Sequence, residues 1–324
     1  MRHIDTDGDS GAQIWQLSDD PRPTDNIYGE QPYGSADGTR IALRHYATDD
    51  ADGGLSILDL NDGFSHTIID TAPRFPAFHG WSEYLYGQQQ RGDELVLRRW
   101  HYHTLAAEDI LALPAAIGRY SYGTVSADHE HYAVCVHNEG QPCRVLHFGL
   151  RTGESSVLVA SAEHYFKHEQ FSRDGQNLVM IQANSPDVTR VGLGALSLKG
   201  QLTWFAADEP HTTRPSGHEA WIGDQTRLFF STRWDDEHGN LWTVSLDASA
   251  PEPLGPTVRG GHISVSHCGR YFLVDDGRDG VPLTVGSLRS GRHAHLAFTA
   301  TVHDVQQSSH AHPYLTADNR WAVF

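Results

Sequence analysis

The stretch GSADGTRIALR at residues 34–44 decides the fold because it recurs along the chain. Copies stand at 124–134 (TVSADHEHYAV), 171–180 (FSRDGQNLVM), 221–230 (WIGDQTRLFF), 265–274 (VSHCGRYFLV) and 315–324 (LTADNRWAVF), with a weaker one at 78–87 (FHGWSEYLYG). In each, a small polar residue precedes a turn pair such as Asp-Gly, and a run rich in Val, Ile, Leu, Phe and Tyr follows at a period of two. Turn plus alternation reads as a hairpin. Further apolar runs follow most copies, among them LSILDL at 55–60, CRVLHFGL at 143–150, LWTVSLD at 241–247 and PLTVGSL at 282–288. Each repeat therefore holds about four strands.

Counted four residues before the small polar position, the repeat marks Gln31, Phe75, Tyr122, His168, His218, His262 and His312, with successive gaps of 44, 47, 46, 50, 44 and 50 residues. Propeller blades repeat at about 40–50 residues. The spacing predicts an all-β chain, one domain over residues 1–324, built as a seven-bladed β-propeller. The run AQIWQL at 12–17 reads as an outer strand without the rest of its blade, and the last repeat stops at WAVF soon after its turn. A truncated last blade, closed with the N-terminal strand, is the expectation.

The 24 Lys+Arg residues stand against 41 Asp+Glu, a formal charge of -17, which disfavours nonspecific attraction to nucleic acid or anionic lipid. Neither nucleic acid nor a membrane is expected as a partner, and an anionic substrate would need a local cationic site. The first residues, MRHIDTDGDSGAQIW, contain no apolar core of signal-peptide length. No run approaches the roughly 20 apolar residues of a membrane span. Cys135, Cys143 and Cys268 form no zinc-like or thioredoxin-like spacing, and their odd number suits a reducing compartment. The reading is a cytoplasmic protein with its thiols in or near the core.

Histidine is abundant, with 22 residues, and four of the seven marked positions are histidine. Equivalent positions of a radial repeat lie on one ring, so His168, His218, His262 and His312 converge. In an extended segment His310 and His312 point to the same side, with Gln307 just ahead of them. Three imidazoles and an amide oxygen suit a divalent first-row metal such as Zn, Fe, Ni or Mn, and the oxygen inclines the set towards Mn. A lone histidine at the start of a strand is more often structural, so it is the set that carries weight. His45, His101, His103, His137, His293 and His295 lack ring positions and read as loop or surface residues. Glu219, next to His218 on a strand, is expected to point away from the metal ion.

The segments HEQFSRDG at 168–175, DVTRVGL at 187–193, GHEAW at 217–221, GHISVSHCGRY at 261–271 and QSSHAHPYLTADN at 307–319 resemble the oligogalacturonate lyases. These are seven-bladed propellers that cleave short galacturonate chains by β-elimination. The resemblance covers most of the chain, is strongest from about residue 160 onward, and is weak over the first three repeats. It implies a manganese ion held by His262, His310, His312 and Gln307, a Brønsted base at His218 and a substrate-facing arginine at Arg190. His168, the remaining ring imidazole, would face the substrate, a short uronate oligosaccharide.

These residue types suit the reaction. Elimination across C4–C5 removes a proton α to a carboxylate, and the developing charge spreads into that group. A metal ion and an arginine neutralise it. A neutral imidazole taking the proton contributes about 10²–10⁴-fold. Two other classes stay open on the sequence: a metal-dependent hydrolase, and a binding propeller whose ring histidines are structural. An unsaturated product separates the lyase from both.

Overall fold

The computed structural model describes residues 2–48, 53–61, 66–70, 73–114, 118–277, 280–299 and 310–324. Every element named among them is a β-strand, and no helix is long and apolar enough to cross a membrane. The recurring turn explains itself chemically. Ser35, Ser172 and Thr316 donate their hydroxyls to Asp37, Asp174 and Asp318 at 2.6, 2.7 and 2.6 Å. The same carboxylates accept the backbone N–H of Thr39, Gln176 and Arg320, each at 3.0 Å. The Ser or Thr oxygen then accepts the N–H of Arg40, Leu178 or Trp321, at 2.9, 3.1 and 3.2 Å, where the next strand begins. The turn satisfies its own polar groups, so it recurs independently of what surrounds it.

Six antiparallel sheets follow in chain order, each a meander in which successive strands pair. The first blade comprises Thr24–Asp25, Arg40–His45, Gly54–Asp59 and His66–Asp70. The inner strands of the second, fourth, fifth and sixth blades are Pro73–Pro76, Tyr165–Phe171, Pro215–Trp221 and Ile263–Val265. In the third blade the inner strand is interrupted at 121–123, and its halves Arg119–Tyr120 and Thr124–Val125 both pair with His131–His137, so that sheet has five strands.

Each blade is packed on both faces. Tyr86, Leu95 and Leu97 of the second blade meet Tyr132, Val134 and Val136 of the third. Cys135 and Val145 of the third meet Phe171, Val179 and Ile181 of the fourth. The fifth blade presents Phe230 and Trp242 to the fourth, and Phe229 and Leu241 to the sixth. Full burial of each such side chain is worth about 1.5–3 kcal/mol, and sandwiching is why these strands read as almost continuous apolar runs.

The ring closes through the C-terminal hairpin Tyr314–Leu315 and Ala322–Val323. Leu315 packs on Leu273 and Leu283 of the sixth blade, while Tyr314 and Val323 pack on Ile41, Leu43, Leu58 and Leu60 of the first. The Asn26 amide donates to the carbonyls of Ala311 and His312 at 3.3 and 2.8 Å, and the Trp81 indole donates to Leu315 at 3.2 Å. Gly29 is required here, because a Cβ at that position would meet the His312 carbonyl carbon at 2.8 Å.

Among the described residues six complete sheets form, and the seventh blade expected is not confirmed. The terminal hairpin supplies only two strands, and Gln13–Gln16 pairs with Arg2–Thr6 in a separate two-stranded ladder. Among the described residues no ladder joins the two hairpins. Leu17, near the start of the chain, packs into the apolar cluster around Tyr314. Two further expectations are corrected. His45 is a buried residue of the first blade, hydrogen bonded to Thr24 and Ser56, and not a surface histidine. Cys135 and Cys143 are buried as expected, but Cys268 is exposed at its turn.

His79 lies inside the second blade's inner end, where its Nδ1–H donates to the Val125 carbonyl at 2.9 Å and burial pushes its pKa down to about 3. The unfolded imidazole titrates near about 6.5. As pH falls below that value the unfolded chain takes up a proton that the folded chain refuses, so stability drops towards pH 3 and is flat above the unfolded value. Urea midpoints should fall across that window, and fall less steeply for His79→Asn, which keeps the donor but cannot ionise. Equal slopes for the two proteins would remove His79 as a source of acid sensitivity.

Candidate functional site

Three blades and the segment before the terminal hairpin deliver histidines to one place. His168 lies on Tyr165–Phe171 and His218 on Pro215–Trp221, His262 directly precedes Ile263–Val265, and His312 stands just before Tyr314–Leu315. Ring centroids of His218 and His262 are 4.6 Å apart, and those of His262 and His312 are 4.3 Å apart. Tyr28 of the first blade sits 4.7 Å from the His312 ring and 5.7 Å from that of His168, with its hydroxyl 3.4 Å from His168 Nε2. Of the marked positions without histidine, Gln31 donates to Gln170 Oε1 at 2.9 Å and Tyr122 stacks on Phe78 at 5.4 Å. Phe75 lies on the inner strand Pro73–Pro76.

Local irregularities aim these side chains. The inner-strand register slips between Lys167 and Gln170 and again between Pro215 and Glu219. Such bulges redirect residues that strict alternation would send outward. His168 and His312 adopt positive φ of 56° and 40°, and Gly217 supplies φ 99° beside His218. For a histidine this conformation costs on the order of 1–3 kcal/mol and persists because the packed ring holds it. Glu219, expected to point away from the ion, is not in the metal-capable histidine group among the described residues. Its side chain is fully buried, with Oε1 3.3 Å from His168 Nδ1, so consecutive residues 218 and 219 both serve the ring.

His262, His310 and His312 offer nitrogens that all lie within 4.8 Å of one another, a set able to hold a metal ion. Asp275 orients the first of them, one oxygen accepting the His262 backbone N–H and the other its Nδ1–H, both at 2.7 Å. With the proton assigned to Nδ1, Nε2 is left for a ligand, the arrangement that raises ligand basicity. Gly261 is dictated by the same contact, since a Cβ there would meet Asp275 Oδ1 at 2.7 Å. Burial, helped by the neighbouring imidazoles, pushes His312 down to about 2, so its ring is neutral as a metal ligand must be. This donor set fits a first-row divalent ion. Gln307 lies outside the described residues.

His218 has a partner that its sequence neighbourhood does not reveal. Its Nδ1 stands 2.5 Å from Oε1 of Glu30, a buried carboxyl from the first blade. Burial pushes Glu30 up to about 8 and His218 down to about 4. Both shifts favour uncharged groups, and a neutral imidazole is the form that accepts a proton. Glu30 is adjacent to the marked position Gln31, the one signal in the sequence that could have found it.

Arg190 is exposed on the turn between Val179–Asn184 and Val191–Leu196, its backbone N–H and C=O both bonded to Ser185. Among the described contacts none joins its side chain to a ring histidine. The arginine bonded to a marked position is Arg44, which donates to the Tyr122 hydroxyl at 3.1 Å and pairs with Asp25 at 2.6 Å.

No family model matches the sequence, and neither does any curated protein. Solved structures do match. An oligogalacturonate lyase in complex with manganese superposes with TM-score 0.77 at 18% identity, covering 98% of this chain and 91% of its own. The fold resembles that of the oligogalacturonate lyases. A second such lyase, from Vibrio parahaemolyticus, gives 0.75 at 15% identity with the same coverage of both chains. A puromycin hydrolase gives 0.60 at 10%, covering 94% of this chain but only 51% of its own, so its likeness is confined to about half of that protein.

Replacing Asp275 with Asn leaves the shape but removes the carboxylate that orients His262. Manganese affinity, measured by competition with a chelator, should weaken about 10–100-fold. His310→Ala should lose most of the bound metal. Undiminished affinity in both variants would dissolve the three-histidine site.

Proposed function

We propose that the chain is a metal-dependent lyase that cleaves a short oligouronate, oligogalacturonate or a close relative, by β-elimination to a 4,5-unsaturated product. The observation that carries this reading is the placement of His218, with its buried Glu30 partner, beside the cluster of His262, His310 and His312. The likeness to two oligogalacturonate lyases over 98% of the chain supports it.

In this reading the three histidines, with Gln307, hold a divalent ion, Mn²⁺ by preference, which when bound supplies Lewis-acid neutralisation of the uronate carboxylate. His218 Nε2 takes the C5 proton. Its Nδ1 is hydrogen bonded to the buried Glu30, which orients the imidazole. The C5 electron pair closes the C4–C5 double bond as the C4–O4 bond breaks, and water protonates the departing oxygen. His168, held by Glu219 and Tyr28, lines the substrate side. Arg190 leaves the blade on the turn after Asn184, the partner of Tyr165 at the start of the His168 strand, and is assigned to the substrate carboxylate.

A second reading, metal-dependent hydrolysis, is favoured by the buried carboxyls Glu30 and Glu219, either of which could serve as a base for water. The products separate the two. Elimination yields an ultraviolet-absorbing unsaturated uronate, whereas hydrolysis yields reducing ends without that absorbance.

His218→Ala should retain metal and fold and lose about 10²–10⁴-fold in kcat, since its role is confined to the transition state. Arg190→Ala should raise KM and lower kcat together. Near wild-type formation of unsaturated product by the His218→Ala protein would exclude it as the base and move attention to His168.

A further inference from the structure

The third and fourth blades part at the edge where the strand Tyr165–Phe171 begins, leaving a cleft of about 1080 Å³. Its volume is that of a site for a sugar-sized ligand or larger. Arg119 and Lys167 line it, and among the described residues neither forms an ion pair. Glu139, exposed at the rim, is the one carboxylate among the lining residues. In a chain of formal charge -17 this is a local reversal of sign. The imidazoles present do not account for it: burial, with Arg119 nearby, lowers the His137 pKa, leaving that ring neutral. His164 is engaged with the Ser161 hydroxyl.

The wall of the cleft is flat and aromatic. Tyr165, 47% exposed, stacks on His137 with centroids 3.9 Å apart and planes 14° from parallel. The C–H face of a pyranose lies well against such a surface, while its carboxylate needs cations at the edge. Lys167 both lines the cleft and directly precedes His168 on the strand Tyr165–Phe171.

We propose that this cleft is a distal subsite for a uronate residue beyond the two that flank the scissile bond, with Arg119 and Lys167 binding its carboxylate and Tyr165 carrying its ring. The assignment rests on the oligouronate reading above. It makes the protein selective for trimers and longer chains over dimers.

The test is calorimetric binding of di- and trigalacturonate to manganese-loaded protein carrying His218→Ala, so that ligand is not consumed. Trimer should bind about tenfold more tightly than dimer, the worth of roughly one partly exposed charge-assisted contact. Adding Arg119→Ala, or separately Lys167→Ala, should bring the trimer-to-dimer ratio close to one, while Arg119→Lys should preserve most of it. High salt should shrink the ratio in the parent. A parent without length dependence, or a ratio unchanged by both alanine variants, overturns the subsite while leaving the lyase reading standing if dimer binds. Failure of either oligomer to bind overturns both.

Discussion

Closure of the ring is the constraint on which everything else depends. The last hairpin makes only two register pairs of its own, Tyr314 with Val323 and Leu315 with Ala322, far too little for an isolated ladder. It is held because the sixth blade takes Leu315 and the first takes Tyr314 and Val323, and because Asn26 ties the backbone of Ala311 and His312. That same backbone carries two of the three clustered imidazoles. The apolar interactions that complete the ring thus bring His310 and His312 to His262, and a loosened closure would disperse the site before it disturbed any single blade.

Inside the closed ring, carboxyls and imidazoles withdrawn from water answer one another in pairs: Asp275 with His262, Glu30 with His218, Glu219 with His168. The pairs are chemically distinct. Asp275 is anchored by a backbone N–H as well as by the imidazole, which fixes the orientation of a ligand. Glu30 meets His218 through a single short contact in a site where burial disfavours charge on both, which suits a group that must change protonation state during a reaction. Ordered by role, the ring has a fixed side at His262 and a responsive side at His218, with their ring centroids 4.6 Å apart.

Backbone irregularities also fall at these places. His168 and His312 accept positive φ, and the inner strands of the fourth and fifth blades bulge where their histidines stand. Regular strands would alternate faces and present one side chain in two to the axis. The irregular ones present His218 and Glu219 together. Rigid blades on either side over-determine these conformations, so the site's geometry derives from the scaffold and not from local preference.

Much of this architecture was legible in the chain itself. The serine-aspartate turn closes its own hydrogen bonds, so its copies mark blades wherever they occur, and a constant period in sequence becomes a constant angle about an axis. That is why His168, His218, His262 and His312 could be placed on one ring without coordinates. The period counts repeats, however, and not hydrogen-bonded strands; among the described residues the seventh repeat pairs two, and the complete sheets number six. Glu30 and Asp275 were invisible because each meets its histidine across a separation that no periodicity encodes, 188 residues for Glu30 and 13 for Asp275 on a different strand. The contact of Glu219 with His168 was not legible because a register slip just before it breaks the alternation by which strands are read. What the sequence determined by itself was local bonding and its repetition; which charges lie against which imidazoles was decided only when the ring closed, because buried electrostatics depends on distance in space and not along the chain.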